Sequence, residues 1–312
     1  VKVIKLWDDG KFRVKVLFDT LNKFITQPET VAGEIQTAIG PMVDFPDNWP
    51  PQLIYEEEDK DTFLEEARMS LAWHKDAAGF MLDEYDPDVF IQDTYTPNQM
   101  LESRWWHGTI EPKSSKYNPQ EAEAALADIQ EMYLGLDAII GEMLERADDN
   151  TIVALSSDHG VCYLNRLVKL NNLFAKKGWL KFSIDPVTGE TKIDWDNTTV
   201  VYLKMANIYI DPDGLGGDWN RAKGSAYENL RNEVISELKA IADTNGKRPV
   251  KNILPWEEAA RYYNLPESRI GDIILEAELG YFWFEEMDEA LTVFVDPITS
   301  GYKQTIDPTE NC

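Results

Sequence analysis

The chain is 312 residues long and 43% hydrophobic, enough to bury a sizeable core as one large domain or a domain with an elaborate insertion. It carries 56 acidic against 30 basic side chains, a formal charge of −26, spread along the sequence rather than gathered in a tail. That surplus disfavours a nucleic acid duplex as partner and suits a salt-rich or extracellular setting, so the compartment stays open, with an extracytoplasmic one favoured over the cytoplasm.

No stretch is long and apolar enough to predict a membrane span, and no signal peptide is recognisable. The sequence opens on Val1 in strand-like residues and closes in a turn-rich stretch, so further sequence is expected at both ends. Two cysteines, Cys162 and Cys312, are too few for a disulfide framework, and Cys162 is expected as a small core residue. The oligomeric state is not legible.

In chain order, alternation on both sides of Asp8, Asp9 and Gly10 predicts a β-hairpin over residues 1–18. Five prolines between Thr26 and Tyr55 exclude a long helix or central strand, which makes that stretch an irregular covering segment. Phe63, Ala67, Leu71 and Met81 recur among acidic residues and predict an amphipathic helix over 59–83. Its His74 is expected to face solvent.

Asp88 to Tyr95, DVFIQDTY, reads as a short strand, and Pro97 then opens a helix, NQMLESRWW. Trp105 and Trp106 suit core packing better than a pocket floor, and His107 after them suits a helix end. The longest helix is predicted over 118–147, with Asn118 as cap, Pro119 in the first turn and Ile129, Met132, Tyr133, Leu136, Ile140, Met143 and Leu144 at helical spacing.

That helix delivers the chain to TIVALSSDHGV (151–161). Thr151 to Leu155 is expected as a short buried strand, with Asp158, His159 and Gly160 at its carboxyl end, where an open α/β sheet keeps its chemistry. Adjacent Asp and His can place a carboxylate oxygen and an imidazole nitrogen on one cation while glycine turns the backbone away. An Asp capping the next helix beside a hydrogen-bonded His explains the same dipeptide, and the residues alone do not choose.

Beyond it, Asn165 to Lys177 is predicted as a helix ended by Gly178, and Thr198 to Ile210 as two short strands. DPDGLGGD (211–218) reads as a glycine-rich turn rather than a calcium loop, since the closing glutamate of a helix-loop-helix site is missing. A helix over 227–242 and strands in GDIILEA and LTVFVDP complete an alternating pattern, and no repeat or low-complexity linker appears.

Four stretches together resemble the alkaline phosphatase superfamily in its type I phosphodiesterase and nucleotide pyrophosphatase branch. They are DPDVFIQDTYTPNQMLESRWW, the long helix entering VALSSDHGV, LNRLVKLNNLFAKKGWLKF, and GDIILEA with the closing TSGYKQT, spanning roughly residues 80 to 305. The resemblance implies an α/β fold with a central, mostly parallel sheet and helices on both faces. Residues 1–60 would form a hairpin and covering segment of the same domain, and 61–312 the C-terminal part of a catalytic domain.

It also implies a metal-dependent hydrolase of small phosphate esters (phosphodiester, pyrophosphate or phosphomonoester) acting through a covalent phospho-enzyme, with two divalent metals, commonly zinc. Asp158 and His159 would hold the metal beside a Thr or Ser nucleophile that belongs to a segment ahead of Val1. Positions matching the other metal's Asp, His and final His read Asn98, Glu102 and Lys303 here. A charged lysine cannot ligate, so that second site is altered.

The Lys303 ammonium could stand in for the cation and stabilise charge on the phosphate while Asn98 and Glu102 orient it, a hard ion could bind the oxygens, or catalysis could be lost. Asp93 is an alternative carboxylate ligand. A sulfate ester hydrolase and a non-catalytic binding or structural protein on the same fold remain the competing readings.

Overall fold

Alternating side chains on either side of the Asp8–Gly10 turn zip into the expected hairpin: β1 (Lys2–Leu6) pairs antiparallel with β2 (Phe12–Lys15), and Gly10 takes the positive φ of 85° that the turn demands. The computed structural model describes the chain except residues 20, 43–59, 102–104, 158–159, 205, 216–218, 298–309 and 312, and the side chains of Gln99, Glu310 and Asn311. Two compact units emerge, Val1–Tyr163 with Ser300–Cys312, and Leu164–Thr299.

The first unit is built on helices. The proline-rich stretch is not wholly irregular, since Thr30–Ala38 forms a helix (α1) that buries Val31, Ala32 and Ile35. Its prolines Pro28 and Pro41 lie outside the helix, so they bracket it rather than break it. The amphipathic stretch forms α2 (Lys60–Tyr85), followed by α3 (Asn98–Leu101), α4 (His107–Ile110) and α5 (Ala122–Leu144).

Helices α2 and α5 lie side by side and run in the same direction. Arg68 grips Glu131 through two hydrogen bonds of 2.6 and 2.8 Å, and about four turns on, Arg146 grips Asp83 through two of 2.7 Å. Along the same seam Phe63, Ala67, Leu71, Ile129, Met132 and Ile139 form the core with Met100 and Trp106. Each large side chain buried there contributes roughly 1.5–3 kcal/mol. Trp106 is fully buried against Phe63, its indole N–H donating to Asp128 at 3.0 Å, so core packing is its role. Tyr133 and Leu144 keep helical spacing yet stay exposed, because Ile139 takes the inward place.

Two expected strands are absent from the ladders. Neither Asp88–Tyr95 nor Thr151–Leu155 pairs with another strand among the described residues, and Val89, Ile91, Ile152 and Leu155 are 74, 86, 93 and 81% exposed. A β-rich sequence becomes a strand only where a neighbour supplies backbone donors and acceptors. Neighbours for these two stretches are not found among the described residues.

The second unit begins with β4 (Leu164–Lys169), so the helix expected over 165–177 is half strand, and only Leu170–Lys176 is helical (α6). Leu164, Leu167 and Val168 are buried and paired, and this pairing overrides local helix propensity. Gly178 closes the helix at φ 78°, as predicted. A small hairpin follows, β5 (Phe182–Ile184) with β6 (Thr191–Ile193).

The main sheet of this unit consists of β7 (Val200–Leu203), β8 (Asn207–Ile210), β9 (Val250–Pro255) and β10 (Ile273–Ala277), in the order β7-β8-β10-β9 and antiparallel throughout. Helix α7 (Ser225–Ala240) buries Tyr227, Val234 and Leu238 in the cluster that holds Ile208, Ile210 and Ile273, and α8 (Trp256–Tyr263) follows β9. A second sheet sets β4 between β11 (Gly280–Phe284) and β12 (Phe294–Val295). The β4–β11 ladder is the parallel one; every other ladder among the described residues is antiparallel. The α/β class therefore stands, while parallel pairing is seen in one ladder.

Asp272, fully buried, ties the main sheet to its edges. One carboxylate oxygen accepts from the Ile210 N–H at 2.7 Å, the other from Tyr227 Oη at 2.8 Å and Arg221 Nε at 3.0 Å. Burial pushes its pKa up, against these three hydrogen bonds. Beside it, Gly271 leaves no room for a side chain, since a Cβ would sit 2.7 Å from the Ile208 carbonyl oxygen. Gly271→Ala is expected to cost about 1–3 kcal/mol of unfolding free energy in a urea titration, because backbone rather than a mobile side chain must give way.

Candidate functional site

Of the residues singled out as site candidates, Asp158, His159, Glu102 and Lys303 lie outside the described residues. Asn98 is described: it is half-buried at the start of α3, where its N–H donates to the Tyr95 carbonyl at 2.6 Å. Met100, fully buried two residues on, anchors that short helix in the core. Helix α3 is described as far as Leu101, so the helical face that Asn98 would share with Glu102 falls beyond what is described.

The flanks of the Asp-His pair are visible. Ahead of it, Asp148 caps a turn by accepting from Thr151 Oγ1 at 2.7 Å, and the chain then runs extended. Behind it, Val161–Cys162 form a two-residue strand, β3, that pairs antiparallel with Glu310–Asn311. Cys162 is disulfide-bonded, not a free core thiol as expected, and Cys312 is the only other cysteine in the sequence. Two cysteines are too few to reveal a bridge from spacing; the strand pairing is what brings the chain's end to this place.

Residues 310–311 thus pair with the strand that follows the Asp-His pair in the sequence.

Asp93 is exposed, and the titratable group it acts on is His74, whose pKa it pulls up against burial. His74 is half-buried, contrary to expectation: it sits edge-on to Trp73 at 5.5 Å and lines a cavity with Gln92. A second apolar row along α2, Trp73, Ala77 and Met81, was the available signal, offset from the Phe63–Ala67–Leu71 row. His107 opens α4 and does not end the preceding helix, and its Nδ1 is buried without a hydrogen-bond partner among the described residues.

Burial holds both histidines below the ordinary value of 6.5. A depressed histidine pKa means that the unfolded chain takes up the proton first, so stability is full above 6.5 and falls as pH drops below it. Denaturation midpoints measured from pH 7.5 to 5 should decline, and the decline should flatten in His74→Gln and His107→Gln.

Among the described residues no group of three or more His, Cys, Asp or Glu side chains could hold a metal. The donors proposed from sequence fit a divalent cation in kind: a carboxylate and an imidazole suit zinc, and the Asn98 and Glu102 oxygens suit a harder ion. In number they are short, because zinc takes four ligands and Asp158 with His159 supply two.

The sequence model for type I phosphodiesterase / nucleotide pyrophosphatase matches residues 44–296, four-fifths of the chain. The chain belongs to that family. The Asp-His pair, the α2–α5 helix pair and nearly all of the second unit fall inside the match. Two solved structures of phosphonoacetate hydrolase from Sinorhizobium meliloti 1021 are similar. The one with phosphonoacetate is 19% identical, with a TM-score of 0.42 over 72% of this chain and 45% of that chain. The one with phosphonoformate is 18% identical, with a TM-score of 0.41 over 78% and 49%. The chain spans about half the length of these structures. No curated protein matches it. No described helix is long and apolar enough to cross a membrane.

Proposed function

We propose that this chain is part of a metal-dependent hydrolase of small phosphate esters, with Asp158 and His159 as ligands of one divalent cation, zinc by donor type. The observation that carries the reading is membership of the phosphodiesterase family over a stretch that contains this pair. Bound there, the cation would supply a Lewis acid that lowers the pKa of an attacking hydroxyl and neutralises charge on the phosphate. Residues 1–60 cover, and 61–312 form, part of one catalytic domain in this reading.

The chain's own residues do the rest. His159 offers a neutral imidazole nitrogen and Asp158 a carboxylate, and Gly160 lets the backbone leave beneath them. Lys303 brings an ammonium to phosphate oxygens as a point charge, and Asn98 and Glu102 orient the ester or that ammonium through hydrogen bonds.

Elemental mass spectrometry on the full-length protein, paired with hydrolysis of bis(p-nitrophenyl) phosphate, tests the reading. One metal per chain with activity is the expected result, Lys303 replacing the second cation. Two metals would assign Asn98, Glu102 or Asp93 to a second site. None after reconstitution, with no hydrolysis, would overturn the enzyme reading in favour of a binding protein on the same fold.

A further inference from the structure

An antiparallel hairpin resting on a helix ordinarily turns its apolar face inward and its charged face to water. In the β1–β2 hairpin the faces are reversed. The inner row is cationic, and two of its members settle on α2: Lys2 pairs with Glu65, and Lys15 Nζ lies 3.5 Å from Glu66, a carboxylate only 3% exposed. The register sets Val3 opposite Val14 and Leu6 opposite Phe12 on the outer face, with Val16 and Phe18 next in the alternation. All six are exposed, Leu6, Phe12 and Phe18 by 73, 66 and 66%. A slip of one residue would turn this row inward, so the ion pairs to α2 are what hold it outward.

Scattered apolar residues on a surface need no partner, but a contiguous row does. Six such side chains offer on the order of 600 Å², and two facing rows roughly 1,200 Å², the lower end of a specific interface. Charge selects the occupant. Residues 1–18 carry five basic and two acidic side chains, a balance of +3, whereas the remaining 294 residues carry 25 and 54, a balance of −29. Two copies of so acidic a chain repel each other least at their hairpins, where the cations at the rim meet the partner's acids. An anionic lipid surface is opposed by the same net charge and by Asp8 and Asp9 in the hairpin's turn. A row with no charge in it is also its own complement across a two-fold axis.

We propose that the outer face of the hairpin, the row Val3, Leu6, Phe12, Val14, Val16 and Phe18, is a two-fold interface at which this chain pairs with a second copy of itself. The interface does not rest on the Asp158–His159 reading, and none of its residues is among the proposed metal ligands.

Sedimentation velocity of the full-length protein, from micromolar to hundred-micromolar concentration, tests it. The expected species is a dimer whose association tightens as sodium chloride is raised, because screening weakens the repulsion and leaves apolar burial in place. Phe12→Asp should weaken the pairing at least a hundred-fold, since a two-fold interface buries the new charge twice. Leu6→Asp is the second variant should the first fail to fold. Val187→Asp, the same kind of change at a residue of the second unit that is 90% exposed, should leave the dimer intact. A monomer at every concentration, a dimer undiminished in a folded Phe12→Asp or Leu6→Asp variant, or a monomer that instead floats with phosphatidylglycerol vesicles would each overturn the proposal.

Discussion

Asp158→Ala in the full-length protein is expected to lower phosphodiester hydrolysis at least a hundred-fold and to lower metal content in parallel. Loss of a residue that merely supports a metal ligand costs 10- to 100-fold, so loss of the ligand itself should cost no less. The paired readout matters. A fall in activity with full metal occupancy would place Asp158 among the groups that orient substrate, and unchanged metal with unchanged activity would sink its assignment altogether. Asp93→Ala provides the contrast: exposed and acting on His74, it should leave metal content as it was.

The second large effect is one of stability. Asp272→Ala should destabilise the protein by about 3–5 kcal/mol in a urea titration, because removing one member of a buried ion pair strands the other. Arg221 lies between Trp219 and Trp256, its guanidinium 5.2 and 4.3 Å from their rings, and cannot swing to water without leaving them. The Ile210 N–H and the Tyr227 hydroxyl lose their acceptor at the same time. Asp272→Ala with Arg221→Met should lose less than the sum of the two single changes, since the uncompensated charge goes with its partner. A loss below 1 kcal/mol for Asp272→Ala would mean that water reaches the site and replaces the carboxylate.

Local signals read correctly wherever the chain's immediate neighbours decide the outcome. The hairpin around Gly10, the helices at 60–85 and 122–144, the glycine stop at Gly178 and the paired strands 200–203 and 207–210 all follow from period and turn chemistry, although the later helix starts after Glu121, not at the Asn118 cap, and is the shorter of the two. The family, too, was legible, because VALSSDHGV and its companions carry it in their order.

What local signals misjudged was pairing. Residues 164–169 have helical spacing but form a strand between β11 and β12, since their partners lie more than a hundred positions further on. Thr151–Leu155 and Asp88–Tyr95 have strand composition but no ladder among the described residues, for the same reason reversed. The bridge at Cys162 and the return of residues 310–311 to β3 depend on a contact across almost half the chain, which two isolated cysteines could not announce. The sequence by itself determined the family, the acidic surface, the helical stretches and the residue types at the proposed metal site. Tertiary structure alone decided which apolar runs became strands and buried Asp272 beneath Arg221, because each is a free energy of contact between residues that no local window contains together.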